Sequence, residues 1–154
     1  MRFSAMVAGA ALLVAACGGS KDGAAPKAEA PSTAATTPAA GGTGNTVTVE
    51  MVSTGPTSFK FVPENITIKT GDVVVFKGVS GLAHNVAFWS DSIPPAAVPV
   101  LTAAMKGGTG DMATEMINDG SSVSISFAGA PAGKYGFYCI PHLAMGMKGT
   151  ITVQ

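Results

Sequence analysis

Tyr135-Gly136-Phe137-Tyr138-Cys139-Ile140-Pro141-His142-Leu143-Ala144-Met145-Gly146-Met147-Lys148-Gly149-Thr150-Ile151-Thr152-Val153 is the stretch that decides the reading of this 154-residue chain. Thr150-Ile151-Thr152-Val153 alternates polar and apolar residues, the period of a strand with one covered face. Lys134 to Cys139 reads as a second strand. Between them lies a loop holding a thiol, an imidazole and two thioethers. Such soft donors suit a soft or borderline transition metal far better than calcium or magnesium, which prefer oxygen.

The same alternation recurs upstream. Val47-Thr48-Val49-Glu50-Met51, Ile66-Thr67-Ile68-Lys69 and Val123-Ser124-Ile125-Ser126-Phe127 switch faces residue by residue. Val73-Val74-Val75-Phe76 is a continuous run fit for a strand covered on both faces. Phe59 to Val62 and His84 to Phe88 bring the expectation to about eight strands. Turn signals separate them at Thr70-Gly71-Asp72, Gly78-Val79-Ser80-Gly81, Asn118-Asp119-Gly120 and Ala130-Pro131-Ala132-Gly133. Short strands, Gly/Pro turns and no long helical pattern predict an all-β, Greek-key β-sandwich. Ile93 to Met116 departs from the pattern, and one short helix is expected near Val100 to Lys106.

Residues 1–16 have one basic residue, Arg2, then an apolar stretch through Leu12-Leu13-Val14, as in a secretory signal peptide. This stretch is too short to span a bilayer, which takes roughly 20 apolar residues. Val14-Ala15-Ala16-Cys17 resembles the bacterial lipoprotein signal, which implies a lipid anchor at Cys17. An ordinary signal cut nearby is the alternative. Residues 17–45 are rich in Ala, Gly, Pro, Thr and Ser, and cannot bury enough apolar surface to offset the entropy of ordering. As a flexible tether of about 28 residues they would span roughly 30 Å. Residues 46–154 then form the globular domain. Cys17 and Cys139 each have a separate use, so no disulfide is expected.

Charge excludes one class of partner. Residues 46–154 hold six lysines, no arginine and seven acidic residues, leaving no basic patch to displace counterions from nucleic acid.

One ligand is missing from the C-terminal loop, and the only other histidine is His84, in Gly81-Leu82-Ala83-His84-Asn85-Val86. Taken singly, a histidine is often a hydrogen-bonded loop residue and a cysteine an apolar filler. Cys-x-x-His with a downstream methionine before a final strand is more specific. Two histidines, one thiolate and a weak axial methionine make a blue-copper electron-transfer site. Zinc is the rival metal, but it prefers further thiolates or imidazoles to a thioether.

Phe61-Val62-Pro63-Glu64-Asn65-Ile66-Thr67-Ile68, Gly71-Asp72-Val73-Val74-Val75-Phe76-Lys77, His84-Asn85-Val86, Tyr135-Gly136-Phe137-Tyr138-Cys139 and Gly146-Met147-Lys148-Gly149-Thr150-Ile151-Thr152-Val153 resemble plastocyanin. Pro141 to Met147 is also similar to pseudoazurin. The resemblance covers most of the domain and implies a type 1 copper protein with a cupredoxin sandwich. It further implies one copper, cycling between Cu(I) and Cu(II), on His84, Cys139, His142 and Met147. Met147 has the plastocyanin spacing from His142, whereas Met145 has the spacing of the related amicyanins. The asparagine matching Asn85 ties the two ligand loops together beside the thiolate. Pro141 has no N–H, so one potential hydrogen bond to the sulfur is absent, which favours oxidised copper.

A one-electron carrier tethered on the outer face of the cytoplasmic membrane, in the bacterial cell envelope, is the leading expectation; the compartment is periplasmic if there is an outer membrane. The alternative is a copper carrier or buffer, but Met105, Met112 and Met116 are scattered and have no neighbouring histidine. An enzyme is not expected, because catalytic copper needs an open position and both histidines are already used. Redox proteins are expected to dock on an apolar patch around Leu82, Ala83, Pro141 and Leu143, with the domain acting as a monomer. Plant plastocyanins carry an acidic cluster where this chain reads Phe88-Trp89-Ser90-Asp91. Lys106-Gly107-Gly108-Thr109-Gly110 is not acidic either, so a photosynthetic partner is not implied.

Overall fold

Among the described residues, eight strands fold into two four-stranded sheets: β1 (Thr46–Gly55), β2 (Ser58–Val62), β3 (Asn65–Ile68), β4 (Val73–Gly78), β5 (Ala87–Phe88), β6 (Ser122–Ser126), β7 (Gly133–Tyr138) and β8 (Lys148–Val153). The computed structural model describes residues 44–105, 108 and 112–154. One sheet has the order β2-β1-β4-β6, the other β3-β8-β7-β5. β1 runs parallel to β4 and β3 parallel to β8, whereas the remaining neighbours are antiparallel. This is the expected Greek-key sandwich.

Alternation explains the core. Val49 and Met51 of β1, Phe61 of β2, and Val74 and Phe76 of β4 face Ile68, Tyr135, Phe137, Ile151 and Val153 of the other sheet, all of them buried. Phe61, Phe76 and Phe137 meet edge to face, with centroids 4.8 to 6.0 Å apart. Each such pair adds about 0.5–1.5 kcal/mol beyond simple burial. β4 lies between two strands and stays covered along most of the Val73–Phe76 run.

Three expectations shift. The helix α1 is Val98–Ala104 rather than Val100 to Lys106, with Pro99 in its first turn and Leu101 against the core. Proline is tolerated there because a first-turn N–H has no helical acceptor. The strand expected over His84 to Phe88 shrinks to Ala87–Phe88. His84 and Ala87 instead form isolated bridges with Ile117 and Ala113. Between them the Val86 N–H donates to the Thr114 hydroxyl at 3.0 Å, and this interrupts the ladder. Ordered pairing also begins just before Thr46: Gly44 N–H donates to the Gly71 carbonyl and Asn45 N–H to the Asp72 carboxylate. The signal-like segment, Cys17 and most of the tether lie outside the described residues.

The topology gathers the candidate ligands. β7 and β8 are antiparallel with Tyr138 opposite Lys148, and β5 is antiparallel to β7 with Ala87 opposite Tyr138. The 139–147 loop and the approach to β5 at His84 therefore lie side by side at one end of the sandwich.

Candidate metal centre

Cys139 continues the β7–β8 ladder by one rung, its N–H donating to the Met147 carbonyl at 3.1 Å. The loop between them closes on itself. His142 N–H donates to the Cys139 carbonyl at 3.2 Å, and Met145 and Met147 N–H both donate to the His142 carbonyl at 3.0 and 3.2 Å. Leu143–Met145 makes one 3-10 turn, ended by Gly146 at φ 83°. Only glycine adopts that left-handed conformation without strain, and it aims the chain into β8. His84 is held by its backbone on both sides, its N–H donating to the Ile117 carbonyl at 3.0 Å and its carbonyl accepting from Ile117 N–H at 2.6 Å.

These restraints bring three donor atoms together. His84 Nδ1 and His142 Nδ1 are 3.1 Å apart, and Cys139 Sγ lies 3.3 Å from His142 Nδ1 and 3.8 Å from His84 Nδ1. Three ligand atoms this close together could share one metal ion. His84 Nε2 sits 3.3 Å from the Ser80 carbonyl. A carbonyl only accepts, so that nitrogen carries the proton and Nδ1 presents its lone pair to the centre. All three residues are buried. Burial pushes the Cys139 thiol up, while N–H groups of Asn85 and His142 partly offset this by favouring the thiolate. Burial, helped by the facing His84, pulls His142 below the usual histidine range. The imidazole is therefore neutral and ready to donate at neutral pH.

Asn85 bridges the two loops. Its N–H lies 3.5 Å from Cys139 Sγ, and its side-chain carbonyl accepts from Ile140 N–H at 2.8 Å. Met147 is fully buried opposite Cys139, whereas Met145 is 40% exposed on the 3-10 turn. Phe59, which sequence reasoning read only as part of a strand, stacks on the His142 imidazole with centroids 3.9 Å apart. Nothing in Ser58 to Val62 marks which end of the sandwich that ring will reach. Gly81 also belongs here. At φ 110° it packs so closely that an added Cβ would lie 3.3 Å from both His84 Nε2 and the Phe59 ring.

The sequence model described as "Copper binding proteins, plastocyanin/azurin family" matches residues 47–154. The chain belongs to this family. It is 34% identical over 111 residues to chloroplastic plastocyanin of Fritillaria agrestis, a match that covers 71% of this chain and 62% of that one. The chain thus spans less than two thirds of that relative. Plastocyanin of Scenedesmus fuscus is 36% identical over 97 residues, covering 61% of this chain and 86% of its own. Among solved structures, the oxidised form of plastocyanin from Dryopteris crassirhizoma aligns with a TM-score of 0.51 and 31% identity, over 70% of this chain and all of that one. Soft donors in a closed, buried triangle fit copper, and the cofactor of this cupredoxin is a single copper ion.

Proposed function

We propose that this cupredoxin is a one-electron carrier whose copper is held by His84 Nδ1, Cys139 Sγ and His142 Nδ1, with the Met147 thioether as the weak fourth donor. The observation that carries the reading is the donor triangle itself: three ligand atoms within 4.8 Å of one another, all buried. Copper bound there supplies a Cu(I)/Cu(II) couple. The protein's part is to keep the donors where they are in both states. Both ends of each ligand segment are tied by backbone hydrogen bonds, and Asn85 joins one segment to the other. On loading, Cys139 would release its thiol proton to solvent, and the Asn85 and His142 N–H groups would stabilise the thiolate. All four side chains are buried, which keeps bulk water away from the donors. This favours electron transfer over catalysis.

Access is at the His142 end. Leu82 is 70% exposed and Leu143 38%, and Ile140 and Met145 are exposed on the same loop as His142. An exposed apolar group of this kind suits a docking surface, with Ala83 and Pro141 completing it. A redox protein seated there would lie within a few atoms of the His142 ring. Because Val14-Ala15-Ala16-Cys17 resembles a lipoprotein signal, the carrier is further proposed to be anchored through a lipid on Cys17, in the cell envelope.

Copper titration coupled to voltammetry tests the function. One equivalent bound per chain with a single reversible one-electron wave is the expected result; uptake of several ions without such a wave would point to storage. Wild-type protein should partition with membranes and Cys17→Ala should not.

A further inference from the structure

Phe59 belongs to β2, in the sheet opposite the one that contains β7 and β8, the strands flanking the 139–147 loop. Its ring lies flat on the His142 imidazole, with planes 13° apart, and meets His84 edge-on at 5.9 Å and 66°. One side chain thus touches both imidazoles of the donor triangle. Phe59 is itself well fixed. It is 6% exposed, pairs with Ser53 across the β1–β2 ladder, and is closely approached by Gly81.

His142 needs such a neighbour. It enters a 3-10 turn with no buried residue of its own, and Pro141 before it is exposed. The backbone bonds of the loop set where the Cα lies, but not which way the ring turns. A flat aromatic surface removes the rotations that would swing Nδ1 away from Cys139 Sγ and His84 Nδ1. Two neutral rings stacked in parallel attract each other only modestly. The attraction grows when one ring is drained of electron density by a cation, because the other then presents its negative face. The geometry therefore suits a metal-bearing imidazole better than a bare one, and the more positively charged metal best.

We propose that Phe59 is a positioning residue of the copper centre: it holds the His142 ring in the donor triangle before metal arrives, and its π face favours the oxidised state. This rests on His142 being a copper ligand. It predicts that the site is organised by the sandwich, through β2, and not by the ligand loop alone.

The test compares Phe59→Leu, Phe59→Tyr and, as a control, Phe127→Leu, a fully buried phenylalanine that stacks with neither histidine. In metal-free wild type, ring current from Phe59 should move the His142 ring protons upfield in the NMR spectrum, with sharp lines. Phe59→Leu should lose that shift and broaden the lines, and after copper loading its reduction potential should lie above wild type. Phe59→Tyr should restore both readings, and Phe127→Leu should lower stability while moving neither. If Phe59→Leu does not fold, Phe59→Met, which keeps the volume and lacks the π face, is read in the same way. Unshifted His142 protons in wild type would overturn the proposal. An unchanged potential in Phe59→Leu, or an equal shift in Phe127→Leu, would do so too. If wild type took no copper on His142, the functional reading would fail, while the metal-free spectra would still decide whether Phe59 orders the ring.

Discussion

The Cys139 amide and the Met147 carbonyl are hydrogen-bonded at 3.1 Å, so these residues stand opposite each other on adjoining chain segments. Opposed residues in an antiparallel pair project to the same face, and both side chains are fully buried. Met145 instead sits on the turn and is exposed. Met147→Leu should therefore shift the visible spectrum of the copper protein and raise its potential, because loss of a weak donor destabilises Cu(II) more than Cu(I). Met145→Leu should change neither. The opposite pattern would move the fourth ligand to Met145.

Asn85 makes a structural prediction. Replacing it with alanine removes the 2.8 Å acceptor of the part-buried Ile140 N–H, which costs about 0.5–1.5 kcal/mol. Urea unfolding of metal-free Asn85→Ala should show a loss in this range. The copper release rate should rise as well, since the two ligand segments are no longer joined through the side chain. Unchanged unfolding and release would show that backbone pairing alone holds the loops.

Metal-free protein should have a stability plateau in pH. His142 binds its proton less readily folded than unfolded, chiefly through burial and then through His84. As pH falls below about 6.5, the unfolded chain takes up that proton first, so stability declines. Burial raises the Cys139 thiol. Above about pH 8.5 the unfolded chain loses that proton first, and stability declines again. Denaturant titrations across this range should find the maximum between the two values. Stability that kept rising above pH 8.5 would contradict the buried-thiol account.

The proposed docking surface can be probed by charge. Leu82→Glu or Leu143→Glu would bury a carboxylate in an apolar contact, at a cost of at least about 1.4 kcal/mol, or tenfold in affinity. Electron transfer should slow accordingly, with the copper spectrum intact. Six lysines against seven acidic residues leave residues 46–154 close to neutral, so added salt should change the wild-type rate little. A steep salt dependence would point to a different, charged face.

Which parts of this molecule were legible in its sequence follows from how local each cause is. Alternation in Val47 to Met51 or Thr150 to Val153 is a local consequence of one covered face, and those strands form as read. That His84, Cys139 and His142 come together was legible because Cys139 and His142 share one short loop and His84 is the only other histidine. The end of the strand near His84 was not, since it depends on the Val86 N–H turning to the Thr114 hydroxyl 28 residues away. Phe59 was hidden for a similar reason. Its alternation with Phe61 says that it faces inward, but only the packing of the two sheets brings its ring against His142.

The most direct test of the copper site is the optical and electron paramagnetic resonance spectrum of the domain after addition of one equivalent of Cu(II). Thiolate ligation by Cys139 in the buried triangle predicts an intense visible charge-transfer band and a narrow copper hyperfine splitting, both lost in a folded Cys139→Ser variant. A pale wild-type solution with a wide splitting would mean that Cys139 is not a ligand, and would contradict the account.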